Sequence, residues 1–596
     1  MPEPGAPLRI ANCSGFYGDR LAAAREMVEG GPIDVLTGDY LAELTMMILW
    51  RARQSDPTAG YAVTFLRQVE EVLGTCLDRG IRIVANAGGL NPAGLAGQVR
   101  ALADRLGLTA RVAHVEGDDL LGRIEELQAA GHRLAHLDSG VALAEAGVRP
   151  VSANAYLGGW GIAEALAAGA DVVVCPRVTD ASLVVGPAAW HFGWHRDDWD
   201  ALAGAVVAGH ILECGPQATG GNYAFFEEIP DSRYPGFPLA EVYADGSSVI
   251  TKHPGTGGAV SVGTVTAQLL YEIGGPRYAN PDAVARFDTI RLTQDGADRV
   301  AVSEVRGEPA PAEMKVCINY VGGYRNTMTL VITGLDIDAK AARAEQMLFD
   351  LLGGRDRFDS VDVRLTRADQ PDAPSNELAS AQLRVTVKDT DPHAVGRAFS
   401  NAVIELALAS YPGFYTTTPP SDETPYGVYW PTLVPADEVA HTVVLPDGTR
   451  RAIPPTAPSQ AAILEPLPLP IPGVASTPTT RVPLGTVIGA RSGDKGGNAN
   501  VGLWARSEAG YGWLAAYLTV ERFCQLVPEA ADLPVQRYDL PNLRAVNFVV
   551  SGLLGEGVAS SVRPDPQAKS LGEYIRSRLV DLPVALLPDA PSEAFP

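Results

Sequence analysis

Five short stretches of this 596-residue sequence gather charged and polar side chains beside glycines, and each could do chemistry. In CPRVTDAS (175–182), Arg177 stands three residues before Asp180. A guanidinium is costly to bury without an anion. That anion is either Asp180, in a structural ion pair, or the carboxylate or phosphate of a ligand. In ECGPQATGGNY (213–223), Glu213 and Cys214 follow an apolar run, and Gly220, Gly221 and Asn222 come after them. Burial would raise the Glu213 pKa toward that of a proton carrier. Cys214 is a nucleophile if a cation lowers its pKa and an inert buried thiol otherwise. His210 lies three and four residues earlier, so a helix would bring all three toward one face. RSGDKGGNANVG (491–502) carries Arg491, Asp494 and Lys495 among four glycines. It reads as an anion-binding loop or as a tight hairpin with a charged tip. GDYLAE (38–43) supplies Asp39, and NAGGLNP (86–92) supplies Asn86, Gly88 and Gly89. The latter is also what a turn into a helix start looks like.

These stretches follow apolar runs that read as strands. Leu8–Asn12, Asp34–Leu36, Ile81–Ala85, Arg111–Val115 and Asp171–Cys175 alternate with segments of helical spacing, among them Leu95–Leu106 and Gly161–Ala168. Such βα alternation predicts an α/β fold with a mainly parallel sheet in the N-terminal domain. Ligands of parallel sheets bind beyond the carboxyl ends of the strands, where Asp39, Asn86 and Arg177 would emerge. From about residue 285 the rhythm becomes β-α-β-β-α, the order of a split βαβ or ferredoxin-like module. Residues 453–483 are rich in proline and read as a semi-rigid linker. The expected division is a 1–284 α/β core, a 285–452 α+β part, that linker, and a small α+β domain over 484–596.

Acidic residues outnumber basic ones by 70 to 47, for a net charge of −23. That field disfavours nucleic acid and anionic membranes as partners. Six scattered cysteines form neither a disulfide framework nor a zinc pattern, so a reducing compartment is expected. No signal peptide or long apolar run is read, which together predicts a cytoplasmic protein. The GxxxxGK[ST], GxSxG and HExxH signatures do not occur, and no GxGxxG follows the first strand. No flavin or nicotinamide motif is read, the cofactor stays unknown, and no metal ligands are assigned.

Taken in order, GDYLAE, NAGGLNP, CPRVTDAS, ECGPQATGGNY and RSGDKGGNANVG resemble the acyclic terpene utilisation protein A (AtuA) family. The first 450 or so residues are similar to its main domain, and the remainder to the ferredoxin-like domain often fused behind it. The resemblance implies metabolism of acyl-CoA thioesters or related branched acids, with coenzyme A thioesters as substrates and acyl-CoA carboxylase components as partners. It brings no agreed catalytic residues. On the residues themselves, the first expectation is a homo-oligomeric hydratase or lyase. Asp39 or Glu213 would move protons, Arg177 would hold a carboxylate or thioester oxygen, Asp180 would orient Arg177, and Cys214 would line the pocket. Asn86, Gly88, Gly89, Gly220, Gly221, Asn222, Arg491, Asp494 and Lys495 would bind substrate. A non-catalytic scaffold subunit and a metal-dependent phosphoryl-transfer enzyme are the alternatives.

Overall fold

A computed structural model describes residues 5–456 and 478–588. The chain divides into two compact units: Met1–Asn319 with Tyr429–Val558 and Asp565–Pro596, and Tyr320–Val428 with Ala559–Pro564. Residues 285–319 and most of the C-terminal segment thus belong to the first unit.

In the first unit, short β-branched runs build the centre of an eleven-stranded sheet. Leu8–Asn12, Val35–Gly38, Arg82–Ala85, Val172–Val174 and Val112–Glu116 lie side by side in parallel. Val35–Gly38 and Val172–Val174 are buried throughout, as strands covered on both faces must be. The helices Val63–Arg79 and Pro92–Arg105 pack into the core on this sheet. Pro92–Arg105 starts where Asn91 accepts a hydrogen bond from the Gly94 N–H at 3.0 Å, with Pro92 in the first turn. NAGGLNP is therefore a strand-to-helix turn.

The expectation of a mainly parallel sheet is corrected. The outer strands are antiparallel: Pro238–Val242, Ser248–Lys252, Arg299–Ser303 and Arg291–Gln294 on one side, and Thr442–Val444 with Arg450–Ala452 on the other. Short turns join Pro238–Val242 to Ser248–Lys252, Arg291–Gln294 to Arg299–Ser303 and Thr442–Val444 to Arg450–Ala452, and a short turn cannot make the crossover a parallel neighbour needs. Alternation of apolar residues does not distinguish the two directions.

The second unit carries the strands Ser360–Thr366, Ser380–Asp389 and Tyr415–Thr416 beside the 320–333 part of Glu313–Thr333. The pairings among these four are antiparallel, with the longest strand between Ser380–Asp389 and Tyr415–Thr416. Ile337–Leu352 and Arg397–Glu405 bury their apolar stripes on it. This is the split βαβ order that the β-α-β-β-α rhythm predicts.

Of the expected linker, residues 457–477 lie outside the described residues. Its last part is strand: Thr479–Pro483 pairs with Leu579–Pro583. Between them a four-stranded antiparallel sheet, Ile488–Lys495, Asn498–Ala505, Val535–Leu540 and Ala545–Val550, covers its own apolar core. RSGDKGG proves to be a β-hairpin, with Lys495 paired to Asn498 across Gly496 and Gly497. Its glycines serve a close approach. A Cβ on Gly502 would lie 2.5 Å from the Leu270 side chain, and one on Gly493 2.5 Å from the Tyr271 ring.

Two fully buried asparagines fasten this sheet to the segment 270–274. Asn500 donates to the Leu270 carbonyl at 2.8 Å and accepts from the Glu272 N–H at 2.9 Å. Asn547 donates to the Gly274 carbonyl at 2.7 Å. Asn500→Ala strands two backbone groups, each worth about 1–3 kcal/mol when left unpaired. The expected result is a destabilisation on the order of 2–4 kcal/mol in a urea melt.

Candidate active site

Three neighbouring parallel strands deliver the first groups. Asp39 follows Val35–Gly38, Asn86 follows Arg82–Ala85, and Arg177 follows Val172–Val174. The Asn86 side chain joins the first two loops. Its Nδ2 donates to Asp39 Oδ1 at 2.5 Å and its Oδ1 accepts from the Tyr40 N–H at 2.7 Å. Asp39 also accepts from the Leu41 N–H at 3.1 Å.

Arg177 is 3% exposed. It donates to the Leu41 carbonyl at 2.9 Å and to Asp180 at 2.5 Å, and lies 4.5 Å over the Tyr156 ring. Of the two anions the sequence offers, Asp180 is the one in contact. The Arg177 N–H meets Asp118 Oδ2 at 3.3 Å, which also accepts from Asn154 at 2.8 Å. Burial pushes the Asp118 carboxyl up to about 7. A carboxyl raised in the folded state stabilises fully below its unfolded pKa, and that contribution is lost as pH rises through about 7. The melting temperature should therefore fall more steeply between about pH 5 and pH 8 in the native chain than in Asp118→Asn. Equal slopes in a thermal scan would dismiss this role.

The helix Trp199–Leu212 carries His210 and ends at Glu213. His210 Nδ1 lies 2.9 Å from Glu213 Oε1, an i,i+3 neighbour, and Glu213 Oε2 is buried without a hydrogen-bond partner. Burial raises Glu213 well above the carboxylate range and Asp180 adds to the rise, against Arg177 and Lys495. Asp39 moves the same way, again through burial first and Asp180 next, with Arg177 opposing. Burial, helped by Lys495, lowers His210 to about 4, which leaves its imidazole neutral at ordinary pH. Asp39 and Glu213 thus lie in the field of one buried guanidinium, and ionising both together is costly.

Lys495 enters from the hairpin of the C-terminal sheet. It is exposed, its Nζ donates to the Glu272 carbonyl at 3.0 Å, and it lies 5.9 Å from the centre of the Tyr278 ring. The hairpin tip therefore carries its charge to the carboxylate cluster. Arg491 from the same strand donates to Gln217 and lies 4.4 Å over the Tyr271 ring. Lys569 donates to the Tyr271 hydroxyl. These cations face Cys214, whose thiol is nonetheless raised, by burial first and then by Glu213 and Glu272. The group present at neutral pH is the thiol, a weak nucleophile.

Of the remaining expected residues, the glycines stand where the backbone is closely approached. A Cβ on Gly88 would sit 2.6 Å from the Cys175 carbonyl oxygen, and Gly89, at φ 49°, is closed by the Leu49 side chain. Gly220, at φ 101°, faces Ile229, and Gly221 faces the Pro216 carbonyl. Asn222 is exposed at φ 58°, and Asp494 pairs along the hairpin with Ala499. Sequence reasoning missed Asp118, Tyr156, Gln217, Tyr271, Glu272, Tyr278 and Lys569. Gln217 lies within ECGPQATGGNY, and the others reach the site through the fold, with no local spacing to signal them. Among the described residues, no group of three or more His, Cys, Asp or Glu side chains is arranged to hold a metal ion. No helix among them is long and apolar enough to cross a membrane.

Fold and site define a mixed α/β protein whose buried carboxyl cluster is joined by a lysine from a second, ferredoxin-like sheet. Residues 8–445 match the family described as acyclic terpene utilisation family protein AtuA, and residues 482–581 match the AtuA ferredoxin-like domain. The chain belongs to the AtuA family, and its membership associates it with acyclic terpene utilisation. No curated protein and no solved structure gives a significant match.

Proposed function

We propose that this chain is a cytoplasmic hydratase or lyase acting on an acyl-CoA or a related branched carboxylic acid. The observation that carries the reading is Glu213: a buried carboxyl with a raised pKa, one oxygen without a hydrogen-bond partner, and a neutral imidazole at 2.9 Å. Such a group stays protonated above the ordinary carboxylate range and is placed to give or take a proton. In dehydration, one of the pair Asp39 and Glu213, ionised, takes the proton α to the carbonyl. The other, protonated, gives its proton to the departing β-hydroxyl. The C–H and C–O bonds break, the electron pair forms the C=C bond, and water leaves. Hydration runs the same steps backwards. Arg177, held by Asp180 and the Leu41 carbonyl, sets the field that divides the proton between the carboxyls. Lys495, the exposed cation, anchors the substrate carboxylate or polarises its thioester oxygen.

A thermal-shift panel of free CoA, straight and branched acyl-CoAs, and the matching free acids tests this. A ligand at 100 times its Kd stabilises by about 2.7 kcal/mol. The expected result is a shift with branched thioesters or acids that Lys495→Ala weakens. No shift with any of them would sink the reading. A full shift with turnover unaffected by Glu213→Gln would move the assignment to a binding subunit.

A further inference from the structure

Away from the carboxyl cluster, two cavities adjoin at the start of the helix Trp160–Ala167. The inner one, of ≈ 30 Å³, is lined by Trp160, Arg196, Asp282 and His441 among proline and aliphatic side chains. It has room for about one or two water-sized groups. The outer one, of ≈ 480 Å³, shares Trp160, Arg196, Ile453 and Pro454 and continues along Ala163, Ala167 and Trp190.

Three residues that line the inner cavity, Asp282, Trp160 and His441, each carry a buried polar atom with no hydrogen-bond partner: Oδ1, Nε1 and Nε2. Asp282 is 1% exposed, and its other oxygen accepts from the Gly159 N–H at 2.8 Å. Arg196 stacks 4.7 Å over the Trp160 ring and donates to Thr456 Oγ1 at 3.2 Å. Buried polar groups left unpaired are costly, so three beside one cavity call for a partner that both donates and accepts. The Asp282 carboxylate is already opposed by Arg196, so an added full charge would go unbalanced. The head group that fits is neutral, small, and both donor and acceptor. A hydroxyl meets all three demands.

We propose that these cavities are a second binding site, which takes a hydroxyl-bearing ligand with an apolar body. The hydroxyl donates to Asp282 or His441 in the inner cavity and accepts from the Trp160 N–H. The apolar body lies in the outer cavity against Trp190 and Ile453. This site is independent of the carboxyl cluster.

The test is saturation-transfer NMR on the full chain, with 3-methyl-1-butanol as probe and its methyl ether, which cannot donate, as control. One hydrogen bond is worth about 1 kcal/mol, so the ether should bind about fivefold more weakly. Trp160→Phe, which removes an N–H that no protein group uses, should weaken the alcohol by a similar factor. Ala167→Trp, on an exposed position, should block the outer cavity and abolish the signal. Glu213→Gln should leave it unchanged, which separates this site from the candidate active site. No signal from the alcohol, equal signals from alcohol and ether, or insensitivity to both cavity variants would overturn the proposal. So would a crystal structure grown with the alcohol that holds only water in the inner cavity.

Discussion

Glu213→Gln is expected to lower turnover by about 10²–10⁴-fold, the span that a positioned general acid or base supplies. KM should change little, because the amide keeps the size and shape of the carboxyl. Stability should hold or rise. The carboxyl is buried, and burial is the main cause of its raised pKa, so a neutral isostere removes a desolvation cost from the folded state. Losing activity while keeping or gaining melting temperature is the signature of a group retained for chemistry. A purely structural Glu213 would give the reverse, with turnover kept and the melt lowered. The pH–rate profile offers an independent check. Its ionisations belong to the coupled carboxyls, so removing Glu213 should shift both limbs as well as lower the plateau.

The second large effect falls on stability. Arg177→Met removes the cation that opposes the rise of both Asp39 and Glu213. It also leaves the Leu41 carbonyl and Asp180 without the guanidinium they contact. Breaking a buried pair from one side costs about 3–5 kcal/mol. The sign of its pH dependence follows from the same charges. Without Arg177 the carboxyls ionise less readily in the folded state, so the variant loses more stability as pH rises. Its deficit in melting temperature should be larger at about pH 8 than at about pH 5. A deficit independent of pH would mean that Arg177 serves packing against Tyr156 rather than charge.

Local features of this site were legible in the sequence, and those that depend on distant pairing were not. His210 and Glu213 are one helical turn apart, so their meeting follows from spacing alone. Asn91 and Pro92 mark a helix start by residue type. Asp39, Asn86 and Arg177 could be placed at one sheet edge, because parallel strands put their following loops on the same side. Strand direction beyond the centre was hidden, since Ser248–Lys252 is as apolar and β-branched as a central parallel strand. The role of Lys495 was readable only as an alternative between an anion loop and a hairpin tip. The structure makes it a hairpin, and the fastening of Asn500 and Asn547 to 270–274 turns that tip toward Glu213. Asp118 gave no local signal because no predicted site residue lies near it in sequence, and Tyr278 belongs to a stretch, with Tyr271 and Glu272, that only the fold brings to the site.

The central claim is that Glu213 is a proton carrier with a raised pKa, in a site completed by Lys495 of the ferredoxin-like domain. Difference infrared spectroscopy of the carboxyl region, with the native chain, Glu213→Gln and Lys495→Ala titrated in parallel, tests it most directly. The native chain should show a protonated carboxyl band that persists well above the ordinary glutamate range and is missing from Glu213→Gln. In Lys495→Ala the band should persist to still higher pH, because the lysine opposes the rise. A Glu213 band that disappears in the ordinary glutamate range, unmoved by the loss of Lys495, would contradict the account.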